Sequence, residues 1–116
     1  MKSILSKFND YVNKRYNQNL VKYDDLHLWS ISNLSHFWKS IADFFKIEFD
    51  AKPKSIFQNN KDFLNVNWFQ GSKISYSKNV FRNSSNSEPA IKFQDESGFY
   101  TEISWDSLKS KTLEFQ

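Results

Sequence analysis

Leu34, Phe37, Trp38, Ile41 and Phe45 recur close to the i, i+3, i+4, i+7 spacing of a single helix face. A stripe this large and aromatic is costly to leave in water, so the chain has to bring another apolar surface against it. Two stretches upstream can do so. Between residues 3 and 16, Ile4, Leu5, Phe8, Tyr11, Val12 and Tyr16 stand at helical spacing with polar residues between them, and Asn17-Gln18-Asn19 ends the run. A second, shorter helix is predicted from Tyr23 to Ser30. Asp24 and Asp25 sit in its first turn, where the helix dipole favours acids, and Leu26 and Trp29 form its apolar side. Ser32 or Asn33 can cap the third helix, which runs from Leu34 to Lys46. Three helices therefore make a small bundle.

The remainder reads differently. From Ile47 to Asn67 the pattern loosens. Pro53 blocks a continuing helix, and Asn59-Asn60-Lys61-Asp62 is loop-like. Ser75 can cap a short helix reaching Arg82, and Asn83-Ser84-Ser85-Asn86-Ser87 is a polar connection. Ala90–Phe93 and Phe99–Ile103 alternate as strands do, with Asp95-Glu96-Ser97-Gly98 as the turn of a β-hairpin. Ser104 caps a last helix beginning at Trp105, with Asp106 in its first turn and no stop signal before Gln116. A lone hairpin is marginal in water. A hairpin followed by an unterminated helix is expected to open a sheet whose other strands lie elsewhere.

The predicted class is α+β. Residues 1–67 are expected to be a helical cap, followed over 68–116 by an irregular link, a short helix, a hairpin and a helix that begin a larger domain. A core is available because 12 Phe, 5 Tyr and 4 Trp are present in 116 residues, despite a mean hydropathy of −0.69.

Composition closes off several kinds of chemistry. With no cysteine there is no disulfide, thiolate site or cysteine nucleophile. The net charge of +3 comes from Lys and Arg interleaved with Asp and Glu. No basic cluster marks a nucleic-acid surface, so no nucleic-acid partner is expected. No apolar run approaches a membrane span and the start lacks the apolar core of a signal peptide, so no membrane partner is expected and the cytoplasm is the default compartment. His27 and His36 do not share helical metal-pair spacing, and the two glycines, Gly71 and Gly98, are isolated, so neither a helical metal pair nor a glycine-rich phosphate cradle is expected. Asp24 with Asp25, and Asp95 with Glu96, could be acid–base pairs, but a helix start and a hairpin turn account for them equally. The expectation is no catalytic, metal or cofactor-binding residue in this chain. Its aromatic residues are read as structural anchors.

The order of those anchors carries a resemblance. Tyr23-Asp24-Asp25-Leu26-His27-Leu28-Trp29-Ser30, then Phe37-Trp38, then Trp68-Phe69-Gln70-Gly71, and finally Ser104-Trp105-Asp106-Ser107-Leu108 follow one another. This resembles the N-terminal domain of the AMP-forming acyl-CoA synthetases. Tyr76 and Asn79 with Phe81-Arg82 look closest to the acetoacetyl-CoA synthetase version. Departures include Gln70 where the family has Pro, Ser75 where it has Asn, and Lys78 where it has Glu.

The resemblance implies a start of the AMP-binding, adenylating domain from residue 68, with Trp29, Phe37, Trp38, Trp68, Phe69, Gly71, Tyr76, Asn79 and Trp105 as anchors. Trp68 and Phe69 are expected to hold a turn at Gly71 by burial. For the full-length family member it implies ATP, magnesium and CoA, and acetoacetate as the acid. Alternatives are acetate or another short acid, or a free-standing interaction module. The implied partner is the remainder of a ligase chain or a self-associating copy, and the 116-residue chain alone is expected to be inactive.

Overall fold

Ser3 opens the first helix, α1 (Ile4–Tyr16), by accepting the Ser6 amide on its hydroxyl at 3.1 Å. Asn17 closes it in the left-handed conformation, φ 50°. The computed structural model describes residues 2–58, 63–82, 84–85 and 87–115. The loop expected at Asn59–Asp62, together with Asn83, Asn86 and Gln116, lies outside the described residues. Contacts divide the chain into two compact units, Met1–Ile74 and Ser75–Gln116.

In the first unit, α2 (Tyr23–Ser32) and α3 (Leu34–Phe44) follow α1. Asn33 is at once the last cap of α2 and the first of α3. Its side-chain amide donates backward to the Trp29 carbonyl at 3.0 Å, so it fastens α2 and leaves α3 without a side-chain cap. Phe8, Val12, Leu26 and Trp29 form the buried core, and Phe37, Ile41 and Phe44 of α3 lie against it. The predicted stripe is therefore rotated at its end. Phe44 meets Phe8 edge-on at 5.3 Å, while Phe45 stays 45% exposed. The helix also stops before the expected Lys46, because Lys46 turns left-handed at φ 53° and the Ile47 amide bonds back to the Ala42 carbonyl at 2.8 Å.

Residues 47–67, which read as irregular, contain half of a hairpin. Strand β1 (Ser55–Gln58) pairs antiparallel with β2 (Asn67–Gln70), with Phe57 opposite Trp68. The ladder extends to an isolated Ala51–Lys73 bridge. A short 3-10 turn, Phe63–Asn65, lies between the strands. Helix α3 packs on β1 as well as on α1 and α2.

In the second unit, α4 (Tyr76–Phe81) starts at Ser75, whose hydroxyl accepts the Lys78 amide at 3.3 Å. Strands β3 (Ile91–Gln94) and β4 (Tyr100–Ile103) form the expected antiparallel hairpin. Helix α5 (Trp105–Leu113) begins at Ser104, which accepts the Ser107 amide at 3.2 Å. No described side chain of this unit is buried, and Ile91, Phe93, Phe99 and Tyr100 are all exposed. No helix among the described residues is long and apolar enough to cross a membrane.

Candidate functional site

The apolar seam between α3 and the β1–β2 hairpin brings together most of the first unit's sequence-predicted anchors. Trp38, on α3 next to Phe37, meets that ring at 5.4 Å and reaches Trp68 of β2 at 5.2 Å. Trp68 in turn lies 4.7 Å from the cross-strand ring of Phe57. Its neighbour Phe69 stacks on Phe49 at 5.7 Å. Trp29 is buried deeper, against Tyr16 at 5.3 Å.

Gly71 sits in the turn that ends β2. Its φ is 74°, and the Ser72 amide closes the turn onto the Phe69 carbonyl at 3.0 Å. Phe69 is also left-handed, φ 46°, which is disfavoured for a residue with a Cβ. Trp68 and Phe69 thus belong to a strand as well as to the turn. Burial is also less than expected, since Trp68 keeps 44% of its surface exposed. A two-stranded sheet with one helix against it covers a Trp incompletely.

The other anchors fall in the second unit. Tyr76 opens α4 with its ring 81% exposed. Asn79 donates its amide to the Ser75 carbonyl at 3.0 Å, reinforcing the single turn of helix below it. Trp105, the first residue of α5, faces Phe81 of α4 edge-on at 6.3 Å.

Two of the four candidate acid–base residues, Asp25 and Asp95, hold backbone. Asp25 accepts from the amides of Lys22 at 2.8 Å and Val21 at 3.1 Å, and these bonds lower its pKa below the ordinary aspartate value. Asp95 accepts from the Ser97 hydroxyl at 2.6 Å and from the Ser97 and Phe99 amides at 2.9 Å each, with the same downward effect. His27 stacks on Tyr23 at 6.1 Å, and His36 meets Tyr16 at a tilt, 5.0 Å between centroids. Among the described residues, no three His, Asp or Glu side chains gather as metal ligands do.

Sequence reasoning missed one feature of this region. A cleft lined by Lys39, Lys52, Lys54, Phe49 and Phe69 opens in the first unit. The only sequence signal for it is the alternation Lys52-Pro53-Lys54, which sets two lysines on one side of an extended segment.

Comparison with known proteins adds the following. A family model described as acetyl-coenzyme A synthetase N-terminus matches residues 23–80. The chain is similar to an acetoacetyl-coenzyme A synthetase of Rhizobium meliloti (strain 1021), 22% identical over 115 residues, covering 99% of this chain and 17% of that protein. It is 33% identical over 73 residues to an acetoacetyl-CoA synthetase of Macaca fascicularis, covering 62% of this chain and 11% of that one. In fold it is similar to the acetoacetyl-CoA synthetase from Streptomyces lividans, with a TM-score of 0.78 and 22% identity over 90% of this chain and 16% of that chain. The chain thus spans less than a fifth of the length of these relatives.

Proposed function

Because the chain belongs to the acetyl-coenzyme A synthetase N-terminal family, we propose that it serves as the amino-terminal structural part of an acetoacetate–CoA ligase. The complete ligase would join the acetoacetate carboxylate to the AMP moiety of ATP, releasing pyrophosphate. It would then pass the acyl group to the thiol of CoA, releasing AMP. The observation that carries this reading is the similarity to acetoacetyl-CoA synthetases along nearly the whole chain.

The contribution of these residues is mechanical. The three helices share a core, and the β1–β2 hairpin packs on it through α3. The second unit has exposed apolar residues on a two-stranded sheet and no buried side chain among those described. It suits a partner surface contributed by the rest of a ligase chain, which would add strands and cover Ile91, Phe93 and Phe99. On this reading the 116-residue chain has no ligase activity by itself.

The family model's own description, acetyl-coenzyme A synthetase, favours a second reading in which acetate is the acid. One experiment addresses both. The native product, captured from its source with an antibody to residues 1–30, is weighed and assayed with ATP, CoA and either acid, beside the purified 116-residue chain. The expected result is a product several times heavier than 13.8 kDa that prefers acetoacetate, and an inactive short chain. Preference for acetate selects the second reading. CoA-dependent AMP formation by the short chain overturns the mechanical role.

A further inference from the structure

The cleft in the first unit has a volume of about 490 Å³, within the range of about 300–1,000 Å³ that small-molecule sites occupy. Its lining is chemically divided. Ile47, Ile56, Phe49 and Phe69 supply apolar surface, and Lys39, Lys52 and Lys54 supply ammonium groups. Asp43 is the carboxylate of the lining, and its charge is already engaged by Lys39 and Arg15, each at 3.1 Å. Lys52 and Lys54 have no carboxylate partner among the described residues.

Two further features set the cleft apart from a casual surface fold. Pro53 lies between the two free lysines and restricts the backbone that carries them. Phe69 contributes to the lining from a left-handed backbone, φ 46°, and strain of this kind concentrates at ligand clamps and active sites.

We propose that this cleft binds a small phosphomonoester carried on an apolar or aromatic body. A phosphate ester carries about −1.5 to −2 charges near neutral pH, which matches two unpaired ammonium groups, whereas a carboxylate neutralises one. The phenylalanines and isoleucines take up the body. The proposal rests on the geometry of the first unit alone and is independent of the acid the ligase activates.

The test is an amide-resolved NMR titration of the full 116-residue chain with phenyl phosphate, inorganic phosphate and phenol as separate probes. Phenyl phosphate is expected to shift Phe49, Lys52, Lys54 and Phe69 saturably, and to bind about tenfold tighter than either half alone. The double variant Lys52→Gln/Lys54→Gln should weaken it by about tenfold, with an unchanged melt because both side chains are exposed. Lys7→Gln, outside the cleft, should leave binding as it was. No saturable shift overturns the proposal. Equal loss in the Lys7→Gln variant reduces it to general attraction between an anion and a basic protein. Equal binding of inorganic phosphate removes the apolar body from the ligand and with it the assigned class.

Discussion

Trp38 of α3 and Trp68 of β2 meet with ring centroids 5.2 Å apart and planes inclined at 64°. This pair joins the helical bundle to the hairpin, elements that are well separated along the chain. Edge-to-face aromatic pairs contribute about 0.5–1.5 kcal/mol beyond the area they bury. A double-mutant cycle with Trp38→Ala and Trp68→Ala should therefore give a coupling of about 1 kcal/mol in urea unfolding. Additive losses would mean that the rings are neighbours without a specific interaction.

Gly71 and Gly98 test backbone geometry separately from space. Their φ values are 74° and 85°. A Cβ at Gly71 would stand 3.6 Å from the Lys54 side chain, an ordinary contact, and one at Gly98 would meet nothing within 4 Å. The cost of alanine at either site is thus the left-handed backbone, about 1–2 kcal/mol. Asparagine, which tolerates that region better, should cost less than alanine at both positions. Equal stability of Gly98→Ala and the parent chain would show that the hairpin turn relaxes.

Stability should fall on the acid side through two named carboxylates. The Lys22 amide, then the Val21 amide, depresses the pKa of Asp25, and for Asp95 the Ser97 hydroxyl contributes most. A depressed folded pKa means stability present above the unfolded value and lost as pH falls through the folded one. The loss should begin near the ordinary aspartate pKa and continue below it. Asp25→Asn and Asp95→Asn should each flatten the acid limb of a stability–pH profile while lowering stability at neutral pH. An unaltered acid limb in both variants would place the transition on other groups.

Val12 is fully buried, at 0% exposure, whereas Ile91 in the second unit keeps 41%. Val12→Ala should cost about 2 kcal/mol, from lost transfer energy and the cavity left behind. Ile91→Ala in the isolated chain should cost less than about 1 kcal/mol. Chemical denaturation of the two variants distinguishes them. A larger loss at Ile91 would reveal a covering surface over the hairpin.

Local signals made much of this architecture readable. Ser75 and Ser104 accept the amide three residues on in the folded chain, as their residue type and position favour. The β3–β4 hairpin followed from alternation around an Asp-Glu-Ser-Gly turn. The β1–β2 hairpin did not, because Ser55-Ile56-Phe57-Gln58 and Asn67-Trp68-Phe69-Gln70 alternate poorly and are joined through a connection with no tight-turn signature. The cleft was equally hidden, since its lysines and phenylalanines come from separate segments.

What the sequence determined by itself was the set of apolar helix faces, the caps at Ser75 and Ser104, and the aromatic order that marks the family. What only the tertiary structure decided was which members of those faces are used. Phe44 and Phe45 both continue a helical stripe from Phe37 and Ile41, and spacing cannot choose between them. The choice falls to Phe44 because Phe8 and Tyr11 of α1 stand there, at 5.3 and 5.5 Å. Periodicity is a property of one helix, whereas burial is a property of two surfaces meeting.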